Sequence, residues 1–166
     1  ADFRAEPPFI TMEAVLGGDL DEYWHDHNKK LPIDEVTRLV LEVLSGLEAL
    51  HRSRVVHQDI KPKNILLTRD NAVRITDYGI SKSLREQLAM GGTDGGGTVL
   101  YMAPEQCRGE VCDRRADLYA VGIMAHQLLT GRFPFVAKTA EQVKSWHQSG
   151  ERDLSVLPAP YDTVVA

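Results

Sequence analysis

The clearest pattern along the chain is a run of apolar side chains at steps of three and four: Val36, Leu39, Val40, Val43, Leu44, Leu47 and Leu50. That spacing lines one face of a helix and predicts a helix packed on a core. Pro32 pre-sets its first turn, Asp34 and Glu35 suit the positive end of the helix dipole, and Arg52 and Arg54 suit the other end. A second long helix is predicted from about Asp113 to Thr130, with Gly131 stopping it. It is apolar nearly all round, so it belongs inside the core. Shorter helices are expected from Leu20 to about His27, capped by Asp19, and from Thr139 to His147.

Three short segments read as strands: Phe9 to Met12, Ile65 to Thr68 and Val73 to Thr76. Gly17-Gly18 breaks the chain after the first, and the polar Arg69-Asp70-Asn71-Ala72 joins the other two as a hairpin loop. Gly91 to Gly97 shows no periodicity and is expected to be mobile. From Leu157 on, Tyr161 to Val165 begins a periodic pattern that the sequence does not complete. The fold class is α+β, predominantly helical, with a small β-hairpin around which polar residues gather.

Composition narrows this picture. A length of 166 residues is one domain's worth of chain, and 43% apolar with 26% charged content excludes disorder, collagen and coiled coil. Nineteen basic against 24 acidic side chains give a net charge of −5, which argues against a general nucleic-acid binder. Cys107 and Cys112 form neither a disulfide framework nor half of a complete zinc motif, and read as free thiols. The opening residues Ala1 to Pro8 carry no signal-peptide pattern, and the most apolar stretch, Ala116 to Ala125, falls short of the ~20 residues of a membrane span. A soluble, cytoplasmic protein with no membrane segment is the expectation.

The candidate chemistry lies at the hairpin. If Thr68 pairs with Val73, Asn64 stands opposite Asp77, and an amide oxygen and a carboxylate share one open end. Mg2+ takes such oxygen ligands together with substrate phosphates. Taken alone, an Asn and an Asp beside a hairpin also serve as turn formers. Asp59 and Lys61 lie just upstream of Asn64. A carboxylate there can accept a hydroxyl proton, and an ammonium can offset charge developing on a transferred group. His25 and His27, two apart on a helix, point in different directions and read as a solvated face rather than a metal site. His51, His126 and His147 stand alone in the sequence.

These residues carry a resemblance. His57-Gln58-Asp59-Ile60-Lys61-Pro62-Lys63-Asn64 resembles the catalytic loop of eukaryotic-type Ser/Thr protein kinases, Asp77-Tyr78-Gly79 their D-F-G element, and Ala103-Pro104-Glu105 their A-P-E segment. Gly97-Thr98-Val99-Leu100-Tyr101-Met102 and Asp117-Leu118-Tyr119-Ala120-Val121-Gly122 are similar to the family's peptide-site segment and central helix. The resemblance implies a protein-kinase-like C-terminal lobe and Mg2+-dependent transfer of the ATP γ-phosphate to a protein Ser/Thr hydroxyl. It makes Asp59 the base, Lys61 the γ-phosphate contact, Asn64 and Asp77 the Mg2+ ligands, and Thr98 a bridge to Asp59 and Lys61. His57 and Tyr78 become packing residues, and Asp117 braces the catalytic loop. Met12 to Asp19 resembles the hinge, with Met12 as gatekeeper, the backbones of Glu13 and Val15 on adenine, Asp19 on ribose and Leu66 as the apolar floor.

The resemblance divides 1–166, a partial kinase domain, into the end of an N-lobe with hinge (1–19) and a C-lobe that stops before its last helices (20–166). The family's glycine-rich loop, strand lysine and partner glutamate have no match here, and Gly91 to Gly97 is no substitute. A family arginine that would pair with Glu105 also has no match. The N-lobe is therefore expected as a partner from the same polypeptide, and these residues alone are expected to turn over little. Gln58 replaces the family's arginine and Tyr78 its phenylalanine. The uncharged Gln58 implies that phosphorylation at Ser81, Ser83 or Thr93 is not the main switch. Lys63 disfavours Arg-rich substrates. A pseudokinase scaffold is the alternative, opposed by the presence of Asp59, Lys61, Asn64 and Asp77. A small-molecule phosphotransferase is a further alternative, opposed by Lys61 and Ala103-Pro104-Glu105.

Overall fold

The computed structural model describes residues 12–78 and 95–149. The elements are α1 (Leu20–Asp26), α2 (Ile33–Arg52), a 3-10 turn (Pro62–Asn64), β1 (Ile65–Leu67) and β2 (Val73–Ile75). They continue as α3 (Gly95–Thr98), a second 3-10 turn (Val99–Tyr101), α4 (Pro104–Arg108), α5 (Arg114–Thr130) and α6 (Ala140–Ser149). Of the expected strand Phe9 to Met12 only Met12 is described, outside any strand; Gly79, Ser81, Ser83, Thr93 and the segment from Leu157 on lie outside the described residues.

The two long helices form the frame. In α2 the apolar stripe buries Val36, Leu39, Val43 and Leu47, each worth about 1.5–3 kcal/mol when fully buried. In α5 ten residues are buried, among them Asp117, His126 and Gln127, while Arg114, Arg115 and Leu118 are exposed near its start. Asp113 caps its start by accepting from Arg115 N, and Gly131 ends it in the left-handed region at φ 77. A side chain could not replace that glycine, since its Cβ would stand 2.8 Å from Lys29 O. The turn after α1 is tied to α5 by the bond from Leu31 N to Leu128 O (3.0 Å).

Asp19 caps α1 as expected: its Oδ1 accepts from Glu22 N (2.8 Å), while Glu22 Oε2 accepts from Asp19 N (3.2 Å). The hairpin register corrects the sequence reading by one residue. Leu67 pairs with Val73 and Ile65 with Ile75, so Thr68 faces Ala72 and Asn64 faces Thr76, not Asp77. The loop therefore holds three residues rather than four. Asn71 takes the left-handed conformation (φ 60) that lets a turn from Thr68 O to Asn71 N close while Thr68 N still bonds Ala72 O. Within Gly91 to Gly97, Gly95 to Gly97 enter a helical turn. That turn runs directly into the buried Val99 and Tyr101, whose packing overrides the poor helix propensity of glycine.

Candidate active site

The loop between α2 and β1 is held by one buried carboxylate. Asp117, near the start of α5, accepts from Gln58 N at Oδ1 (2.7 Å) and from His57 N at Oδ2 (2.9 Å). The same Oδ2 meets His51 Nε2 at 2.7 Å. A largely buried helix thus braces the loop through groups that would otherwise be orphaned donors. His57 is 1% exposed. Its Nε2 lies 2.8 Å from Thr76 O and its Nδ1 3.3 Å from Asp59 N. A carbonyl can only accept and an N–H can only donate, so the ring is the Nε2–H tautomer. It joins the backbone of Asp59 to the residue before Asp77.

The side chains of Lys61 and Asn64 converge on Asp59. Lys61 Nζ lies 3.3 Å from Asp59 Oδ2. Asn64 Nδ2 donates to Asp59 O (2.7 Å) and to Asp59 Oδ2 (3.0 Å). Both amide hydrogens of Asn64 are committed to Asp59, so its orientation is fixed and Oδ1 is left as an oxygen donor for a hard cation. Lys61 Nζ also donates to Thr98 Oγ1 (2.9 Å), so Thr98 reaches Asp59 through the lysine; among the described residues no direct Asp59–Thr98 bond is formed.

Asp77 follows Thr76, whose N–H donates to Asn64 O (3.0 Å). Asp77 therefore sits one residue past the partner of Asn64, at φ 62, a left-handed conformation that Asp adopts more readily than most residues. Asp77 is exposed at the open end of the hairpin. Asn64 Oδ1 and the Asp77 carboxylate are oxygen donors of the chemical type that Mg2+ takes alongside phosphates.

The hinge residues stand differently. Met12 is 66% exposed, Glu13 is exposed and Val15 half-buried. From Gly17 on the segment is tied to β1: Gly17 N donates to Leu67 O (2.9 Å), Leu67 N to Gly18 O (2.9 Å), and Asp19 bridges Leu66. The approach requires glycine, because a Cβ on Gly17 would lie 2.4 Å from Leu67 O. In β1, Ile65 and Leu67 are fully buried while Leu66 points to the opposite, less buried face. The Oδ1 of Asp19 is committed to the α1 cap.

Beside Lys61 opens a cavity of ≈ 310 Å³, walled by Trp24, Leu100, Tyr101 and Phe133, with Lys63 and Asp21 at its edge. Tyr101 donates to the buried Gln127 Oε1 (2.6 Å), and burial pushes its phenol well above the usual range. His25 is exposed, as expected of a solvated helix face, and also lines this cavity.

Sequence reasoning missed His51 and Gln106. His51 bonds Asp117 across 66 positions, a contact with no local signal. Gln106 links α4 to the catalytic loop through Gln58 O (2.8 Å). Cys107 and Cys112 are free thiols, and burial raises the pKa of Cys107. No helix among the described residues is long and apolar enough to cross a membrane.

Known proteins are similar to this chain in sequence. The family model for the protein kinase domain matches residues 5–158. The chain is 39% identical over 136 residues to the serine/threonine-protein kinase PknL of Mycobacterium tuberculosis, covering 80% of this chain and 33% of that protein. It is 36% identical over 139 residues to the probable serine/threonine-protein kinase PknB of Lactococcus lactis, covering 84% and 22%. With the serine/threonine-protein kinase PrkC of Bacillus subtilis the figures are 35% over 143 residues, 86% and 22%. The chain thus spans between about a fifth and a third of the length of these curated relatives. With its catalytic-loop geometry and the family match in agreement, the chain belongs to the protein kinase domain family.

Proposed function

We propose that the protein carrying this chain is a Ser/Thr protein kinase that moves the γ-phosphate of ATP to a Ser or Thr hydroxyl of a protein. The observation that carries this reading is the placement of Lys61 Nζ between Asp59 Oδ2 (3.3 Å) and Thr98 Oγ1 (2.9 Å). These contacts support reading Asp59 as base, Lys61 as cation and Thr98 as a peptide-site hydroxyl. Asp59 takes the proton of the acceptor hydroxyl as the hydroxyl oxygen bonds to the γ-phosphorus and the bond to the β-phosphate oxygen breaks, releasing ADP. Lys61 offsets the charge on the moving phosphoryl group. Asn64 Oδ1 and Asp77 hold Mg2+, which neutralises phosphate charge when bound. Glu13 and Val15 offer backbone groups to adenine, Leu66 its apolar floor and Asp19 Oδ2 a ribose contact; Met12 is the gatekeeper.

Residues 1–19 then close an N-lobe and 20–166 belong to the C-lobe, with the rest of the N-lobe as partner. The free thiols fit a cytoplasmic, reducing setting. Lys61 and Lys63 beside an apolar cavity favour a substrate segment of neutral or acidic character over an Arg-rich one.

The test uses the whole protein with Mg2+ and ATP. Wild type is expected to label protein Ser or Thr, and Asp59→Asn to lower kcat by about a hundred- to ten-thousandfold without unfolding. Equal turnover in the variant would overturn the assignment. Labelling of small aminoalcohols instead of protein would favour the phosphotransferase alternative.

A further inference from the structure

Gln58 has a left-handed backbone (φ 65), which a non-glycine residue keeps only where its surroundings over-determine it. Both of its backbone polar groups are held. Its N–H donates to Asp117 Oδ1 (2.7 Å), and its carbonyl accepts from Gln106 Nε2 (2.8 Å). Asp59 is the next residue. We infer that Gln106 is a positioning residue for the catalytic base, clamping the carbonyl of Gln58 so that the strained peptide aims Asp59; this rests on the proposed role of Asp59.

The amide of Gln106 works at both ends. Its Oε1 accepts from Ala103 N (2.9 Å), capping α4, while its Nε2 donates to Gln58 O. One partner can only donate and the other only accept, which fixes the orientation of the amide. Gln106 therefore ties the Ala103-Pro104-Glu105 segment to the catalytic loop. The bond from Lys61 to Thr98 is a second tie between the same two regions. Movement of α4 is felt at Gln58 and passed to Asp59, so the clamp couples the order of the peptide-docking segment to the aim of the base.

Two substitutions separate this role from simple capping. Gln106→Glu keeps an oxygen for Ala103 N but sets a carboxylate against the Gln58 carbonyl; Gln106→Met removes both bonds. In the whole protein, Gln106→Glu is expected to keep the wild-type melting temperature and KM for ATP, while kcat falls about two- to tenfold. Amide exchange at Gln58 and Asp59, read by mass spectrometry or NMR, is expected to speed up in both variants. If Gln106 serves only as a cap, Gln106→Glu matches wild type in kcat and exchange and only Gln106→Met is impaired, which overturns the inference. Should wild type transfer no phosphate, the kinase reading falls, and the exchange rates alone still decide whether the clamp exists.

Discussion

The catalytic loop and the hinge segment both attach to β1, and they are held in opposite ways. Between His57 and Asn64, side chains hold the backbone: Asp117, His57, Asn64 and Gln106 each bond main-chain atoms of the loop. His57, Ile60, Pro62 and Asn64 are buried there. Among the described residues the segment matched to a hinge is tied to β1 through backbone, by Gly17, Gly18 and Asp19 on Leu66 and Leu67, while Met12 and Leu16 are 66% and 65% exposed. Proton transfer needs atoms placed to within a few tenths of an ångström, and a network of directional bonds gives that. Main-chain N–H and C=O groups need only a close backbone approach, which Gly17 allows.

Removing the brace is the strongest way to break this contrast. Asp117→Ala strips the acceptor from His57 N, Gln58 N and His51. Each buried donor left without a partner costs about 1–3 kcal/mol, so we expect a stability loss of about 3–5 kcal/mol in urea denaturation, together with loss of phosphoryl transfer. A loss below about 1 kcal/mol would show that the loop holds itself.

At the hinge the expected effect is smaller and falls on a different constant. Gly17→Ala places a Cβ 2.4 Å from Leu67 O and 2.5 Å from Thr68 O, so the segment must lift off β1. A stability cost of about 1–3 kcal/mol is expected, with a raised KM for ATP and little change in kcat. An equal fall in kcat would erase the distinction between the two regions.

The smallest effect lies at the far end of the hairpin. Arg38 donates to Asn71 O, Glu35 and Glu42, and Glu42 Oε2 accepts from Val73 N. The hydrogen bond from Arg38 holds the carboxyl of Glu35 below the usual glutamate range. Because the folded value is lowered, this stabilisation is complete above the unfolded value and disappears as pH falls through the folded one. The pair is partly exposed at the surface, so Glu35→Gln is expected to cost under about 1 kcal/mol at neutral pH and nothing in acid, with kcat unchanged. A change in kcat would extend the catalytic network to this end of the hairpin.

Much of the frame was legible in local pattern. The stripe from Val36 to Leu47 is a helix face, the mostly apolar segment to Thr130 is a largely buried helix, and Asp19 caps α1 as the sequence predicts. These features depend on neighbours three or four residues away, which the sequence displays directly. The hairpin was legible as an element but not in register. Whether its loop holds three residues or four depends on the left-handed turn at Asn71, and propensity leaves both open.

The candidate site divides the same way. The types and order of Asp59, Lys61, Asn64 and Asp77 were set in the sequence, because chemistry dictates which side chains can accept a proton, offset charge or bind a cation. Their orientation was not. His51 and Asp117 are 66 positions apart, Gln58 and Gln106 are 48 apart, and Lys61 and Thr98 are 37 apart. The packing of α3, α4 and α5 against the loop brings these partners together. A hydrogen bond depends on distance and angle in space, and separation along the chain carries no information about either.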